Sequence, residues 1–265
     1  MFGKQSHKQL SSKYNLSIKT VRKRIDEVKF HYPVLKPKSV ILGVDTVFYG
    51  HEFGVTVFRD LISKTNLLWY FSETESLIPI IEGINELILQ KQNILMIVCD
   101  GKNLRLSSYF PHIPIQMCQF HQVAIIKRYL TSNPKLLASQ QLKQLAELIP
   151  KMNETRFSFI LNAWYLKWSD FLKERTIVPG TKHWFYTHKR TRSAYRSLIT
   201  NLRYLFVYKR LSKQHGFDFP NTNNSLEGSF AHLKDKVRLH RGLKTKRKMK
   251  IINQILLGKA PEIYH

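Results

Sequence analysis

Two aspartates stand where the sequence predicts buried β-strands. Asp45 lies inside the apolar run of residues 40 to 47, and Asp100 ends the apolar run of residues 94 to 100. A carboxylate in an apolar strand is costly unless a cation or hydrogen bonds compensate its charge. Two such carboxylates brought to one edge of a sheet would repel each other and need a cation between them. Hard oxygen ligands select Mg²⁺ or Mn²⁺, so the pair predicts a divalent-metal site.

A third acidic ligand is expected from a helix late in the chain. Glu227 follows a polar run at residues 221 to 224 and opens a predicted helix. It comes 127 residues after Asp100, which itself comes 55 residues after Asp45. The nearest rivals of Glu227 for this role are three other acids: Glu52, Asp60 and Asp235.

The elements that would position these acids are predicted from the periodicity of apolar residues. Residues 39 to 120 show the order strand, strand, strand, helix, strand, helix, strand, and the first three strands follow one another as antiparallel neighbours. In a known α/β layout the first strand lies beside the strand that follows the first long helix, which would bring Asp45 near Asp100. Residues 122 to 175 look helical throughout, and residues 176 to 192 are predicted as a loop.

The N-terminal segment, residues 5 to 29, predicts two short helices with a turn at Asn15 and Leu16, and Ser17 is placed to cap the second. This pattern is typical of a helix-turn-helix, whose second helix presents its side chains to the major groove of DNA. An ordinary basic helical hairpin is the alternative. The side chains expected to contact DNA are Lys19, Thr20, Arg22 and Lys23.

The composition favours a nucleic-acid partner. Lys and Arg number 43 against 18 Asp and Glu, a formal net charge of +25, while 43% of the residues are hydrophobic and can form a core. A basic solvated surface without a specific ligand is the alternative. Two cysteines, and no signal peptide or membrane span, predict a soluble cytoplasmic protein.

Four features occur in a fixed order: Asp45 on a strand, Asp100 before a glycine, a C-x-x-H element at residues 118 to 121, and an acidic helix start at residues 224 to 230. This ordered set resembles the Mutator-type superfamily of DDE transposases, which includes bacterial insertion-sequence enzymes. The resemblance covers roughly residues 39 to 245. It implies an α/β fold with an RNase H-like mixed sheet flanked by helices, an all-helical insertion and a small N-terminal helix-turn-helix.

The resemblance also implies a division of the chain into domains. The expected segments are a helix-turn-helix at 1–30, a linker at 31–38, a catalytic core at 39–125 and 218–250, a helical insertion at 126–217 and a C-terminal tail at 251–265.

The activity implied by the resemblance is metal-dependent cleavage and strand transfer of DNA. Asp45, Asp100 and Glu227 would hold two Mg²⁺ or Mn²⁺ ions, one activating a water or a 3′-hydroxyl and the other stabilising the leaving 3′-oxygen. The partners would be double-stranded DNA, as element ends and as target, bound by a homodimer or larger assembly in the nucleoid. A DNA-binding regulator or decayed transposase with a non-catalytic module is one alternative. A structure-selective nuclease with the same metal site is another.

Further DNA contacts are expected outside the acids. His121 is expected to contact the cleaved strand or a carboxylate, with Cys118 packed beneath it, although a helix-start histidine is also possible. In the predicted loop, Trp184 or Phe185 is expected to stack on a flipped base, beside the cations Lys189 and Arg190. Aromatic side chains that plug a gap between helices are the equally weighted alternative.

A basic cluster near the C-terminus is predicted to contact phosphates rather than bases. A solvated charged face is the alternative. The cluster comprises Lys234, Lys236, Arg238, Arg241, Lys244, Lys246, Arg247, Lys248 and Lys250.

Overall fold

The computed structural model describes residues 5–74, 76–240 and 242–258, which divide into two compact units. The first unit joins the described residues up to Leu95 to those from Asn224 onward, and the second is Met96–Asn223. The strands are β1 (Ser39–Tyr49), β2 (Phe53–Asp60), β3 (Thr65–Ser72), β4 (Asn93–Cys99), β5 (Ile115–Met117), β6 (Arg175–Ile177) and β7 (Trp184–Tyr186). The helices are α1 (His7–Tyr14), α2 (Ile18–Glu27), α3 (Ile78–Leu89), α4 (Leu106–Tyr109), α5 (Gln119–Leu130), α6 (Leu137–Glu147), α7 (Glu154–Lys173), α8 (Lys189–Leu205), α9 (Val207–His215), α10 (Asn224–Leu239) and α11 (Thr245–Leu257).

A mixed five-stranded sheet has the order β3-β2-β1-β4-β5. The strands β1, β2 and β3 form an antiparallel meander, whereas β4 and β5 are parallel. The predicted order of strands and helices is confirmed, and so is the predicted neighbourhood of β1 and β4. Turns with left-handed residues, Gly50 and Lys64, close the two hairpins of the meander.

The meander of the first unit is covered on both faces, and this explains why all eight residues of β2 are buried. On one face α3 packs so closely that a Cβ on Gly83 would lie 2.1 Å from the ring of Phe58, which leaves room only for glycine. On the other face α10 and α11 complete a hydrophobic core. Its buried members are Val47, Phe53, Val55, Val57, Trp69, Leu226, Phe230, Leu233, Val237, Ile252, Ile255 and Leu256.

Helix α11 is fixed to the sheet by polar bonds as well as by this core. The buried Asn66 side chain donates to the carbonyl oxygen of Leu256 at 3.0 Å, and the indole N–H of Trp69 donates to Asn253 Oδ1 at 2.9 Å. Residues 251 to 257 were expected to be tail; in the structure they belong to α11, and their apolar side chains pack in or against the core. The rest of the predicted tail, residues 259 to 265, lies outside the described residues.

The two N-terminal helices have the predicted turn and cap. Asn15 adopts the left-handed conformation that ends α1, and the Ser17 side chain accepts the amide of Thr20 at the start of α2. The predicted linker that follows has neither helix nor strand, and it is packed on the sheet. The Tyr32 hydroxyl donates to the carbonyl oxygen of Trp69 at 2.6 Å, and its ring lies edge-on to the indole.

Helix α11 also holds the C-terminal end of α2. The guanidinium of Arg247 donates two bonds to the carboxylate of Asp26, at 2.8 and 2.7 Å. The ammonium of Lys250 donates to three main-chain oxygens at the end of α2, those of Ile25, Asp26 and Val28. We call these contacts the α2–α11 contact. They satisfy carbonyls that a helix end leaves without partners, with a cation at the favourable end of the helix dipole.

The second unit is a helical assembly around buried apolar side chains. Helix α8 packs against α5, α6 and α7. The indole N–H of Trp164 on α7 donates to the carbonyl oxygen of Ala138 on α6 at 3.1 Å. Prominent members of this core are Leu142, Ile149, Phe157, Leu161, Leu198, Leu205 and Phe206.

The insertion predicted at residues 126 to 217 is not all-helical. Strands β6 and β7 form an antiparallel hairpin within the segment predicted as helix and loop. Each strand has three residues, too few for an alternating pattern to show in the sequence. The turn between them contains Gly180 with a φ of +75°, a conformation that favours glycine.

The unit boundaries, after residues 95 and 223, differ from the predicted domain boundaries at 125 and 217. In the part of the chain that the structure describes, every helix is too short or too polar to cross a lipid bilayer.

We expect the substitution Arg247→Ala to loosen the N-terminal helix pair, because it removes both bonds to Asp26. Amide hydrogen exchange should accelerate in α1 and α2 and stay unchanged in β1 to β3. Arg238→Ala, which removes a pair 3.5 Å from Asp235 within α10, is the matched control. Equal exchange in the two variants would contradict the anchoring role.

Acidification should weaken the same contact. The hydrogen bonds from Arg247 hold the pKa of Asp26 below its usual value, with smaller contributions from Lys250 and His7. A lowered carboxyl pKa gives a contribution that is complete above the ordinary value of about 4 and is lost as the pH falls through the lowered value. Amide NMR shifts of α2 should therefore move in that acidic range. The shifts should not move there in Asp26→Asn.

Candidate functional site

Asp45 lies on the face of the sheet that carries α10. It pairs across the strands with Val57, and directly opposed residues of a sheet share one face. Val47, two residues further along β1, shares that face too. Both valines belong to the core that α10 completes. The Asp45 side chain is half-buried, and its Oδ1 accepts the amide of Thr46 at 2.8 Å.

Glu227 occupies the first turn of α10, in the same unit as Asp45. The neighbouring Leu226 is fully buried in the core that also contains Val47 and Val57. The beginning of α10 therefore packs on the same sheet face that carries Asp45. The Glu227 side chain is half-buried, and a carboxylate in the first turn is favoured by the helix dipole.

Asp100 follows directly after β4 and begins a short 3₁₀ turn at Gly101–Arg105. Its Oδ1 accepts the amide of Asn103 at 3.2 Å, which fixes the orientation of a half-buried carboxylate. Gly101 is closely packed, since a Cβ there would lie 3.0 Å from Met117 Cε. The strand end and its aspartate are therefore a defined local structure.

The C-x-x-H element opens α5. Cys118 is buried and its amide donates to the carbonyl oxygen of Cys99 at 2.8 Å, while His121 is half-buried beside the ring of Phe120. Within the second unit, Cys118 and His121 offer a thiol and an imidazole as possible metal ligands. These donors differ from the predicted ones, which are three carboxylates.

The three rival acids have structural partners. Glu52 accepts from Lys248 at 2.9 and 3.0 Å, which lowers its pKa, and from Thr245. Asp60 pairs with Lys38 at 2.7 Å. Asp235 pairs with Arg238 along α10. Each rival is therefore accounted for by an ion pair.

Three glutamines in the second unit have a role that sequence reasoning missed. Gln116, Gln119 and Gln122 are fully buried. The amides of Gln116 and Gln119 both donate to the carbonyl oxygen of Leu205, at 3.0 and 2.8 Å. Gln119 also exchanges two bonds with Asn221, so it ties α5 to the segment before α10. The spacing of three residues between these glutamines, in an otherwise apolar region, is the sequence feature that could have revealed this role.

The predicted DNA contacts of α2 are accessible, with one exception. Lys19, Arg22 and Lys23 are exposed, whereas the Thr20 hydroxyl is 2.8 Å from that of Ser17 and helps to cap the helix. Lys23 lies 3.7 Å from Glu27, an exposed pair that contributes little.

The C-terminal basic cluster is only partly available to an outside ligand. Lys234, Arg238, Lys244 and Lys246 are exposed. The predicted phosphate-contacting role does not suit Arg247, Lys248 and Lys250, because their charged groups bind Asp26, Glu52 and main-chain oxygens of this chain. Arg241 lies outside the described residues.

The hairpin of β6 and β7 places the predicted aromatic residues at an exposed position. The side chains of Trp184 and Phe185 are 45% and 50% exposed, so neither ring fills a gap between helices. Lys189 and Arg190 are exposed in the first turn of α8.

No protein-family model matches this sequence, and no curated protein matches it either. The interpretation of the site therefore depends on the residues themselves.

Replacing Gln119 by Leu should lower the free energy of unfolding by roughly 1–3 kcal/mol, because it leaves buried partner groups without a hydrogen bond. Urea denaturation followed by tryptophan fluorescence measures this difference. Gln140→Leu, at an exposed position on α6, is the control and should have a much smaller effect. Equal midpoints for the two variants would remove Gln119 from this role.

Proposed function

We propose that this protein is a DDE-type transposase, which cleaves and joins DNA with divalent metal ions held by Asp45, Asp100 and Glu227. One observation carries the proposal. Within the first unit, Asp45 lies on the sheet face that is covered by α10, the helix whose first turn contains Glu227. Asp100 follows β4, the neighbour of β1 in the sheet order. An RNase H-like fold is part of the proposal, supported by this strand order.

The donor set suits hard divalent cations. All three residues offer carboxylate oxygens, the ligands that Mg²⁺ and Mn²⁺ prefer. When bound, two such ions would supply activation of a water or a 3′-hydroxyl and stabilisation of the leaving 3′-oxygen. The thiol of Cys118 and the imidazole of His121 are softer donors, which suit ions such as Zn²⁺.

The local structure of each aspartate serves this chemistry by limiting its motion. The amide of Thr46 holds one oxygen of Asp45, and the amide of Asn103 holds one oxygen of Asp100. An oriented carboxylate loses less entropy when it binds a cation or a substrate group. The motion of Glu227 is restricted in the same way, because it lies in the first turn of a helix that is anchored by the buried Leu226.

The charge of the chain supports DNA as the substrate. A formal charge of +25 attracts a polyanion, and exposed cations lie on α2, α8 and α10. We infer that α1 and α2 act as the helix-turn-helix, with Lys19, Arg22 and Lys23 toward the DNA. A regulator that binds DNA without cutting it would use the same cations.

The deciding experiment compares the full chain with Asp100→Asn on a DNA duplex carrying an element end, in Mg²⁺ or Mn²⁺. We expect 3′-hydroxyl ends and joined products from the unaltered protein. The variant should retain less than about one-hundredth of the rate, since the ions are worth several kcal/mol of transition-state stabilisation. Asp235→Asn is the matched control, because that acid is exposed on α10 and paired with Arg238.

Three other results would indicate a different function or a different metal site. DNA binding without cleavage in any metal would overturn the enzymatic proposal and support the regulator. Cleavage without joined products would indicate a nuclease. Activity that survives in Asp100→Asn but is lost in Cys118→Ser would indicate that the metal is bound by the softer donors Cys118 and His121.

A further inference from the structure

The hairpin of β6 and β7 in the second unit carries a ladder of stacked aromatic and guanidinium groups. The guanidinium of Arg175 lies 3.8 Å from the ring centre of Trp184 and 5.9 Å from that of Tyr186. Arg192, from the first turn of α8, lies 3.9 Å from the ring of Tyr186, and its Nη1 donates to the carbonyl oxygen of Leu172 at 3.3 Å. Planar cations on aromatic faces are held in one orientation while their N–H edges stay able to bind anions.

Phe185 lies on the opposite face of this hairpin. Arg175 pairs with Tyr186, and Ile177 pairs with Trp184, so these four side chains share one face. Phe185 pairs with Thr176 on the other face. Within the described residues no ring or cation stacks on Phe185, whereas Arg175 covers one face of Trp184. Phe185 is therefore the available stacking surface, and Trp184 positions Arg175.

The charged residues of this hairpin and of the start of α8 are all cations. Residues 175 to 192 contain five Lys and Arg and no Asp or Glu. The adjacent Glu174 is engaged by His188 at 2.8 Å, and His188 in turn stacks on Phe171. Residues 175 to 192 therefore contain no acidic side chain that could pair with their own cations.

Three of these cations, Lys189, Arg190 and Arg192, occupy the first turn of α8. Cations at a helix N-terminus oppose the helix dipole, which carries an energetic cost. A polyanion bound here would offset this cost. The placement therefore favours an anionic ligand over a purely structural role.

We propose that this hairpin binds an unpaired DNA strand, with a base stacked on Phe185 and phosphates held by Arg175 and Arg192. The two-stranded hairpin has open edges, so a flexible single strand can contact both of its faces. A stiff duplex reaches one face at a time. The proposal rests on the proposed function for the choice of DNA as the polyanion, but it does not require that the protein cleave DNA.

Fluorescence anisotropy with a labelled oligothymidine, in EDTA and with the full chain, tests this inference. Phe185→Ala should weaken single-strand binding by about fivefold to a hundredfold, the range of one base–aromatic stack. Phe185→Trp should restore it, and duplex affinity should stay unchanged in both variants. Phe159→Ala, at an exposed position on α7, is the matched control and should bind as the unaltered protein does.

A second measurement uses an oligonucleotide containing 2-aminopurine, whose fluorescence falls when the base stacks on a ring. The unaltered protein and Arg175→Lys should both quench it, the latter with weaker binding, whereas Phe185→Ala should not quench it. Equal single-strand affinity of Phe185→Ala and Phe159→Ala would overturn the proposal. A parallel loss of single-strand and duplex affinity would overturn it as well, because it would indicate a general charged surface.

The experiments also separate this inference from the proposed catalytic function. Asp100→Asn should bind oligothymidine normally in EDTA even though its cleavage is lost. Normal cleavage by the unaltered protein together with no effect of Phe185→Ala on binding would reject the hairpin site alone.

Discussion

The packing of α10 on the β-meander is the contact on which the rest of the first unit depends. Four apolar side chains spaced along one face of α10 pack into the core beneath β1 and β2: Leu226, Phe230, Leu233 and Val237. Because they fix the rotation of the helix, they also fix where Glu227 stands relative to the sheet face of Asp45. They further direct the chain into α11, whose own core residues close the unit.

Hydrogen bonds fix the relative position of elements that this apolar packing brings together. A hydrophobic core tolerates small sliding movements, whereas the bonds from Asn66 and Trp69 to α11 specify one register. The α2–α11 contact then extends that register to the N-terminal helices. In the second unit, Gln119 does the same for α5 and the segment near Asn221. Both units thus use a few buried or partly buried polar groups to fix helices that apolar contacts alone would leave less defined.

The sequence predicted the large periodic elements well. The strands that carry Asp45 and precede Asp100, and the helix that begins near Glu227, were visible because each has a long apolar pattern. The hairpin of β6 and β7 was missed because three-residue strands have no legible period. The partners of Arg247 and Lys250 could not be predicted either, because they lie more than two hundred residues away in the chain. A run of basic residues has the same sequence pattern whether it binds DNA or a carboxylate of the same chain.

The α2–α11 contact joins the N-terminal helices to a segment near the far end of the chain, with the whole second unit encoded between them. During synthesis the N-terminal helices therefore leave the ribosome long before their anchor exists. A chain that stops before Thr245 lacks Arg247, Lys250 and the core residues of α11 together. The N-terminal helices therefore gain this anchor only after the chain has been translated through α11, and prematurely terminated copies lack it.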